Sequence, residues 1–524
     1  MTVTYEFGPL RLDATAEILF HGTEPTGLGR RATALLRLLL DRAGEPVSKD
    51  ALIEAAWPGL AIEDSNLAVQ IAALRRIFED AADGAAWIET LPRRGYRFVG
   101  PQVIVGTSPD EPARGILPSV GASERASVAI LPFLNLNGDP SQDFYADGIV
   151  EDIIAALSRF KSLFVIARNS SFAYKGKAVD IKLIGRELGV RYLVEGNIRR
   201  TGNRLRVAVQ LLDGASGYHL WAERYDRELE DVFEVQDEIV RAIVSALPGR
   251  LEDAGRDLAG RKQTASITAY DFVLLGNERW RRAVGKDFAE AREFFRRAVV
   301  LDPKYARAHA NIAWTRVCEV FMEVPGRTGL HDARREIETA LDIDDGDAWS
   351  HGVFAQLLFL QNDDDRAEIH FNRALTLNPN DADVAAVFAN ILVYWGRWQE
   401  ALNWIEAAKR LNPFPPNLYH WYHALALYSG REYAQAVTTL KQARFLDRWA
   451  HGLLAACYAQ AGLFDKARSE SDVFVRERHR ELRESGEAPP ANNLDLARVR
   501  ADRYRNPRDR EHFLGGLRKA GLAG

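Results

Sequence analysis

Residues 63–100 read EDSNLAVQIAALRRIFEDAADGAAWIETLPRRGYRFVG, and this stretch decides the fold of the N-terminal part of the chain. In its first half, apolar residues recur at the spacing i, i+4, i+7 and i+11. They are Leu67, Ile71, Leu74 and Phe78. This spacing predicts one apolar stripe of an amphipathic helix. Asp64 or Ser65 suits the N-cap position, so we expect the helix to begin there.

The other side of this helix has few charges and carries two amide side chains, which are suited to reading base edges. The two arginines near the helix end interact favourably with the negative end of the helix dipole and are placed to meet phosphates. We predict that the helix contacts DNA through Ser65, Asn66, Val69, Gln70, Ala73, Arg75 and Arg76.

The second half of the stretch predicts a β-hairpin with a basic tip. Trp87 to Thr90 and Tyr96 to Val99 have strand composition, and the turn between them contains Pro92 and Gly95. Three arginines, Arg93, Arg94 and Arg97, lie within five residues of this turn. We interpret them as contacts to DNA phosphates or to an adjacent groove.

Residues 1–100 as a whole resemble the OmpR/PhoB-type winged-helix domain. A β-meander at the N-terminus, helices near 29–42 and 48–57, the helix at 63–79 and the closing Arg94–Phe98 wing follow the order of that family. The resemblance implies a winged helix-turn-helix whose helix enters the major groove. Two departures weaken the expected affinity. Ala72 and Ala73 stand where relatives often carry basic residues, and the domain holds eleven Lys/Arg against fourteen Asp/Glu. We therefore expect weak non-specific binding and more than one copy of the domain on DNA.

Composition favours a multidomain chain without metal or cofactor sites. A length of 524 residues is too long for one core, and the net charge of −5 is compatible with a DNA-binding face. Cys318 and Cys457 are isolated, and no ligand spacing predicts a metal site. Neither a signal peptide nor a long apolar run is seen, so we expect no membrane contact and a cytoplasmic location. Residues 101–126, rich in Pro, Gly, Ser and Ala, predict a flexible linker.

Residues 127–250 predict a compact α/β domain. They resemble the TolB-like or FlgO-like domain in four stretches, VAILPFLNLNGDPSQDFYADGIVEDI, FVIARNSSFAYKGK, ELGVRYLVEGNIRR and GYHLWAERYD. An acidic cluster opens the first helix, and we interpret it as favouring the helix N-terminus. Arg168 to Ser171, with Lys175 and Lys177, follow a strand. They are either a solvated loop or a site for a small anionic ligand. A small-molecule effector at this domain remains open.

Residues 266–480 repeat with a period of 34. Ala333, Ala367 and Ala401 are 34 residues apart, as are Ala340, Ala374 and Ala408, and Pro379 and Pro413. These are identified as about six tetratricopeptide (TPR) repeats, which form an all-α solenoid. The array implies binding of a protein partner or self-association. Residues 490–524 predict terminal helices that cap the open end, with Phe513, Leu514 and Leu517 as their contacts.

The sequence therefore predicts a cytoplasmic one-component transcriptional regulator that is not an enzyme. Its parts are a winged helix-turn-helix (α+β), an α/β domain and an all-α TPR solenoid, and its partner is double-stranded DNA. Two alternatives stay open. One is a TPR scaffold without DNA binding, and the other is a remnant of an adenylyl cyclase-type signalling protein, although no cyclase catalytic domain precedes the middle domain.

Overall fold

The computed structural model describes residues 2–14, 18–22, 24–26, 28, 30–56, 64–81, 87–92, 94–108, 125–247, 264, 266–281, 287–323 and 330–522. The chain divides into two compact units. The first consists of residues 1–116, 345–347 and 368–377, and the second holds the rest of the chain.

The described residues of the N-terminal domain form a small sheet, three helices and a hairpin. Its strands are β1 (Thr2–Phe7), β2 (Leu10–Asp13), β3 (Ile18–His21) and β4 (Glu24–Pro25). Its helices are α1 (Arg30–Asp41), α2 (Lys49–Ala56) and α3 (Asp64–Ala81), and the hairpin is β5 (Ile88–Leu91) with β6 (Gly95–Phe98). The four residues of the predicted apolar stripe, from Leu67 to Phe78, are all buried, as expected.

The predicted linker begins later than the sequence indicates. Ile104–Ser108 form a further strand, β7, which pairs antiparallel with β1 and completes the sheet order β4-β3-β2-β1-β7. The apolar, β-branched run at Val103 to Val105 favours a strand, and the free edge of β1 supplies its hydrogen bonds. The linker prediction was therefore wrong for residues 104–108, and residues 109–124 lie outside the described part of the chain.

Four aromatic rings join the sheet, α3 and the hairpin. Phe7 on β1 packs edge-on against Phe78 of α3 and Phe98 of β6, with ring centroids 6.1 and 5.7 Å apart. Trp87, just before β5, lies 5.3 Å from the ring of Phe78. Because these rings come from every layer, the cluster fixes how α3 sits against the hairpin.

The middle domain is a mixed sheet covered by helices. Its elements are β8 (Ala126–Ile130), β9 (Leu134–Asn135), α4 (Asp143–Leu157), β10 (Leu163–Val165), α5 (Arg168–Phe172), α6 (Ile181–Leu188), β11 (Tyr192–Thr201), β12 (Arg204–Asp213), β13 (His219–Glu228) and α7 (Val232–Ala246). The strand order is β10-β8-β11-β12-β13, with β9 beside β11. The pairs of β8 with β10 and β11 are parallel, and β11, β12 and β13 run antiparallel. The buried faces of α4 and α7 pack in one apolar core with the sheet.

From residue 267 onward, the regular structure among the described residues is helical. The helices are α8 (Ile267–Arg281), α9 (Asp287–Leu301), α10 (Ala306–Phe321), α11 (His331–Ile343), α12 (Ala348–Leu360), α13 (Asp364–Leu377), α14 (Ala382–Tyr394), α15 (Trp398–Leu411), α16 (Asn417–Ser429), α17 (Tyr433–Leu440), α18 (Arg448–Gln460), α19 (Phe464–Glu484), α20 (Asp495–Ala501) and α21 (Pro507–Leu517). The first twelve form consecutive helix pairs, as a TPR array requires.

Small residues explain the close packing within these pairs. The alanines that recur at the period of 34, from Ala333 to Ala408, are buried. A methyl group at these positions lets neighbouring helix backbones approach closely. The 34-residue period predicts an insertion in the second repeat around Val324 to Arg327, and these residues lie outside the described part of the chain.

Candidate DNA-binding interface

Helix α3 presents an unpacked face beside its buried stripe. Asn66 is exposed, Gln70 and Ala73 are half-buried, and Val69 keeps 63% of its surface exposed. An amphipathic helix normally turns its β-branched apolar residues toward the core, and Val69 does not follow this pattern. Ser65 lies within the helix, but its side chain is outside the described part. The predicted base-contacting residues that are described therefore share one accessible face.

The hairpin is held against the helical layer by a backbone bridge. Val47 and Tyr96 exchange two backbone hydrogen bonds of 2.8 and 2.9 Å. Gly95 has φ +104°, and a Cβ at this position would lie 2.0 Å from the Val47 carbonyl oxygen. Only glycine fits there, so the glycine of the Arg-Gly-Tyr-Arg-Phe sequence sets where the basic tip leaves the domain.

The arginines of this region differ in their contacts. Arg76 and Arg94 are exposed, whereas Arg93 lies outside the described residues. Arg75 donates to the Ile88 carbonyl at 3.0 Å and to the Thr90 hydroxyl at 2.6 Å. Its guanidinium is thus committed to the hairpin, which makes Arg75 a link between α3 and β5. That Arg75 also meets DNA stays a prediction.

Arg97 is also engaged within the domain. Its guanidinium forms a two-nitrogen contact with one Glu89 carboxylate oxygen, at 2.5 and 3.0 Å, across the β5–β6 ladder. Arg97 therefore has a partner within the wing, and its contact with DNA stays a prediction. Glu89 and Thr90 are residues that the sequence reasoning missed. Pairing the two predicted strands about their turn would have placed Glu89 opposite Arg97 and Thr90 opposite Tyr96, as the hairpin shows.

The basic segment of the middle domain is not a free anion site. Lys175 Nζ lies 2.7 Å from Asp147 and 3.5 Å from Asp143, and Arg168 Nε lies 3.4 Å from Glu151. The acidic residues of α4 therefore neutralise Arg168 and Lys175, two of the three cations that were candidates for a ligand. Arg168 also stacks on the ring of Phe172, 3.8 Å from its centroid. Residues 168–172 form the short helix α5, so the loop prediction was wrong for them, whereas Lys175 and Lys177 lie outside any helix or strand.

The same segment joins the middle domain to the repeats. Ser170 donates to Asn412 Oδ1 at 2.6 Å and accepts from the Phe414 amide at 2.8 Å. The Ala167 amide donates to the Leu411 carbonyl at 2.8 Å. The residues after β10 therefore serve as an attachment surface for the end of α15.

A half-buried carboxylate lies at a second contact between these parts. Asp152 on α4 accepts hydrogen bonds from the Tyr270 hydroxyl and, at 3.1 Å, from Gln236. Burial, with a contribution from neighbouring Glu151, raises the pKa of Asp152 to about 6. The raised pKa follows from enclosure at this contact between α4, α7 and α8.

A cavity of about 960 Å³ opens on the middle domain, between the sheet and the segment around residues 174–181. Its polar lining includes Lys177, Asn197 and Gln210, and the Gln210 amide donates to Glu195. The volume suits a small molecule. The lining mixes amides and carboxylates, so it does not favour an anion.

The C-terminal helices do more than cap the last repeat. Arg500 lies between the rings of Trp421 and Trp449, 4.7 and 4.1 Å from their centroids, and binds Glu323 at 3.1 Å. The Arg505 amide donates to the carbonyl of Tyr394 at 2.9 Å. The segment thus reaches back to α10 and α14. The prediction of capping helices at 490–524 is therefore incomplete.

Helix α21 continues this contact along α16 and α18. The His512 ring stacks on Tyr428 at 4.7 Å, and the His512 carbonyl accepts from the Tyr428 hydroxyl at 3.0 Å. A Cβ on Gly516 would lie 2.4 Å from that hydroxyl, so glycine permits the close approach. The three predicted contact residues, Phe513, Leu514 and Leu517, are buried as expected. The first helices of these repeats, α14, α16 and α18, are therefore in contact with the C-terminal segment of the same chain.

Within the described residues, no helix combines the length and the apolar content that a membrane crossing needs. Across the same residues, His, Cys, Asp and Glu side chains nowhere cluster in a way that would hold a metal ion.

Comparison with known families identifies the first two domains. Residues 23–98 match the family described as transcriptional regulatory protein, C terminal. Residues 124–242 match the second domain of HilA/YgeH-like transcriptional regulators.

Two curated relatives match longer stretches. Transcriptional regulator HilA of Salmonella typhimurium is 23% identical over 390 residues, which are 72% of this chain and 66% of that protein. A Rhizobium meliloti protein named as a candidate adenylate cyclase is 42% identical over 246 residues, which are 47% of this chain and 42% of that protein. The chain therefore spans 42% to 66% of the length of these relatives.

Two solved structures are similar to separate parts of the chain. The DNA-binding domain of Escherichia coli CadC is 25% identical and covers 19% of this chain and 94% of its own, with a TM-score of 0.18. A tetratricopeptide repeat protein from Parabacteroides merdae is 13% identical and covers 49% of this chain and 94% of its own, with a TM-score of 0.31. By the two family matches and the 34-residue period of its sequence, the chain carries an OmpR-type winged-helix DNA-binding domain at its N-terminus, a HilA-like second domain and C-terminal tetratricopeptide repeats.

Proposed function

We propose that this chain is a cytoplasmic one-component transcriptional regulator. The winged helix binds promoter DNA, and α3 enters the major groove with Asn66, Val69, Gln70 and Ala73 toward the bases. The middle domain and the repeats receive the signal, and the chain carries out no catalysis. The matches to regulator families over residues 23–98 and 124–242 support this proposal.

The observation that carries the proposal is the accessible face of α3. Amides pair with adenine edges, and an exposed valine suits the methyl group of thymine. Val69 at 63% exposure lies beside the half-buried amide of Gln70, while the opposite stripe of the helix is fully packed.

The wing provides the first experiment, a titration of full-length protein with promoter DNA at several salt concentrations. Changing Arg93 and Arg94 together to alanine should weaken binding to every sequence alike. The slope of log K against log salt should fall by about one for each phosphate that the variant no longer neutralises. Arg97→Ala is the matched control, because Glu89 already neutralises Arg97 and a smaller effect follows. An unchanged slope in the double variant would remove the wing from the interface.

For the repeats we propose binding of a protein partner or of a second copy of the chain. The surfaces of α10, α14, α16 and α18 that hold the C-terminal segment are occupied in this conformation. A partner that uses these surfaces has to displace residues 495–517. A chain that ends at residue 490 should therefore bind the partner more tightly, whereas a partner that docks elsewhere should bind both chains equally.

For the middle domain we propose a small-molecule effector in the cavity beside β11 and β12. Lys177, Asn197 and Gln210 offer hydrogen bonds, and the segment near residue 175 is tied to α4 through Asp147. An uncharged polar metabolite fits this lining better than an anion does. Thermal unfolding with a panel of such compounds tests the idea, and Gln210→Leu should abolish any shift that arises from binding there.

Two other functions are distinguished by simple assays. A TPR scaffold without DNA binding predicts no mobility shift with any promoter fragment. A remnant of an adenylyl cyclase-type protein predicts cyclic AMP from ATP and a divalent metal. The Rhizobium meliloti relative shares 42% of its own length with this chain, so its name extends to this chain only as a hypothesis.

A further inference from the structure

Strand β13 leaves one long edge of the middle-domain sheet open. It is the last strand in the order β10-β8-β11-β12-β13, and within the described residues no strand pairs with its second edge. Ala222, Glu223, Arg224 and Arg227 on this strand are exposed. An open edge presents unpaired backbone N–H and C=O groups that another chain can pair with.

The ladder with β12 shows which residues face this open edge. In the β12–β13 ladder Arg204 lies opposite Glu228, so Asn203 lies opposite Leu229. The Leu229 amide donates to the Asn203 carbonyl at 2.8 Å, which makes these two residues a hydrogen-bonded pair. Hydrogen-bonded pairs alternate along an antiparallel ladder, so the odd-numbered residues of β13 bond to β12. The backbone groups of Ala222, Arg224, Asp226 and Glu228 therefore point outward.

We propose that this edge pairs antiparallel with the same edge of a second copy, about a two-fold axis at Tyr225. In this register Arg224 of one copy lies opposite Asp226 of the other, and Glu223 lies opposite Arg227. Each charged pair occurs twice because of the symmetry. The outward residues meet as hydrogen-bonded pairs, as their backbone orientation requires.

Neighbouring registers bring like charges together. If the axis lies at Arg224 or at Asp226, that residue faces the same residue of the second copy, and two like charges meet. The same holds for an axis at Glu223 or at Arg227. Only an axis at Tyr225 places opposite charges face to face in both pairs, Arg224 with Asp226 and Glu223 with Arg227. Charged residues normally protect an edge strand from pairing. Here their order along the strand is self-complementary, which makes the same chain the fitting partner.

The local structure is compatible with this pairing. Asp226 already binds Arg206 at 2.6 Å and Arg204 at 3.1 Å on β12. Arg227 lies 3.5 Å from Glu238, and the Tyr225 hydroxyl donates to Glu223. The facing residues of the second copy would share these partners. The irregularity in the β12–β13 ladder lies between Leu211 and Leu212, away from the outward stretch 222–228. The stretch itself is regular, as strand addition requires.

The pairing of β13 would give a dimer with two winged helices. Only the use of these two winged helices on DNA rests on the proposed function. The pairing is tested on the full chain without DNA. In Glu223→Cys/Arg227→Cys the two cysteines of one chain are about 13 Å apart and cannot bond to each other. Across the proposed axis the Cα atoms lie about 4.5 Å apart, within the range of a disulfide.

Under oxidation the double-cysteine protein should run as a covalent dimer on a non-reducing gel. Each single-cysteine protein should stay monomeric, because residue 223 does not face residue 223 in this register. The unchanged protein is the background control, since Cys318 and Cys457 are buried. Absence of the covalent dimer, or equal linking in the single variants, would overturn the proposal.

Arg224→Pro provides a second measurement. Proline removes an outward N–H, which an edge strand tolerates without loss of its inner ladder. Sedimentation should show a monomer for Arg224→Pro and a weakened dimer for Arg224→Ala, with unchanged circular dichroism for both. An unchanged dimer in the proline variant would refute edge pairing. DNA binding by a chain that does not link would refute this inference alone, whereas a linked dimer without DNA binding would refute the proposed function alone.

Discussion

Gln70 and Val69 carry the base-reading hypothesis at the scale of single residues. We expect Gln70→Ala to cost about 1–3 kcal/mol of binding free energy at a preferred site, because the variant has no amide to pair with adenine. Random DNA should be affected little, since the phosphates are still bound. Fluorescence anisotropy with a selected site and a scrambled duplex measures the two effects.

Ala68 supplies the control for this measurement. It is exposed on the other flank of α3, so Ala68→Ser should leave both affinities unchanged. An equal decrease for Gln70→Ala on the selected and the scrambled duplex would mean that Gln70 does not read bases.

Adjacent arginines on α3 differ at the scale of elements. Arg75 ties α3 to the hairpin through Ile88 and Thr90, whereas Arg76 is exposed. Arg75→Ala should lower the free energy of unfolding by about 1 kcal/mol, the usual effect of removing a partly exposed hydrogen bond. Urea unfolding measures it, and Arg76→Ala should unfold like the unchanged protein. If the two variants exchanged behaviour, the structural role would belong to Arg76.

The C-terminal helix α21 should respond to acid through His512. Burial, together with the positive charges of Arg431 and Lys519, lowers the pKa of His512 to about 4, below its ordinary value of 6.5. The released segment therefore binds protons more readily than the docked one. Docking is fully stable above about pH 6.5 and weakens as the pH falls toward 4. At pH 5 docking should be weaker than at pH 7, and the loss should be smaller than the pKa shift alone implies, because solvent screens the charges around a half-buried ring.

Hydrogen exchange of residues 507–517 measures this release at pH 7 and pH 5, after correction for the intrinsic rate. His512→Phe is the control, because it keeps an aromatic ring on Tyr428 but does not titrate. Its protection should be independent of pH. Equal acid sensitivity in both proteins would place the titrating group elsewhere.

At the scale of the whole molecule, tight DNA binding should depend on the parts beyond the winged helix. The domain holds more acidic than basic residues, and Arg75 and Arg97 are engaged internally. We expect residues 1–108 alone to bind a two-half-site promoter at least tenfold more weakly than the full chain, roughly 1.4 kcal/mol. The boundary includes β7, because a cut at residue 105 would remove most of that strand.

A titration of both proteins on the same duplex decides this prediction, with circular dichroism of the fragment as the folding control. A duplex with one half-site should reduce the difference between the two proteins. If the fragment binds as tightly as the full chain, the repeats do not set the affinity, and their role would be to recruit another protein.

Local patterns determined the elements of this protein. The period of Leu67 to Phe78, the turn at Gly95 and the 34-residue spacing of the alanines depend only on residues close in sequence or on a fixed repeat. The helix α3, the hairpin and the repeat helices were predictable for this reason. Composition averaged over residues 101–126 failed because the strand at 104–108 depends on a partner at the other end of the domain.

Only the tertiary structure decided which charged residues remain available. Arg75, Arg97 and Lys175 resemble solvated ligand-binding residues in the sequence, and each is neutralised or hydrogen-bonded by a residue from another element. The return of residues 495–517 to α10 and α14 was equally hidden. A charge is neutralised by whatever the fold brings within a few ångströms, and sequence separation does not encode that distance.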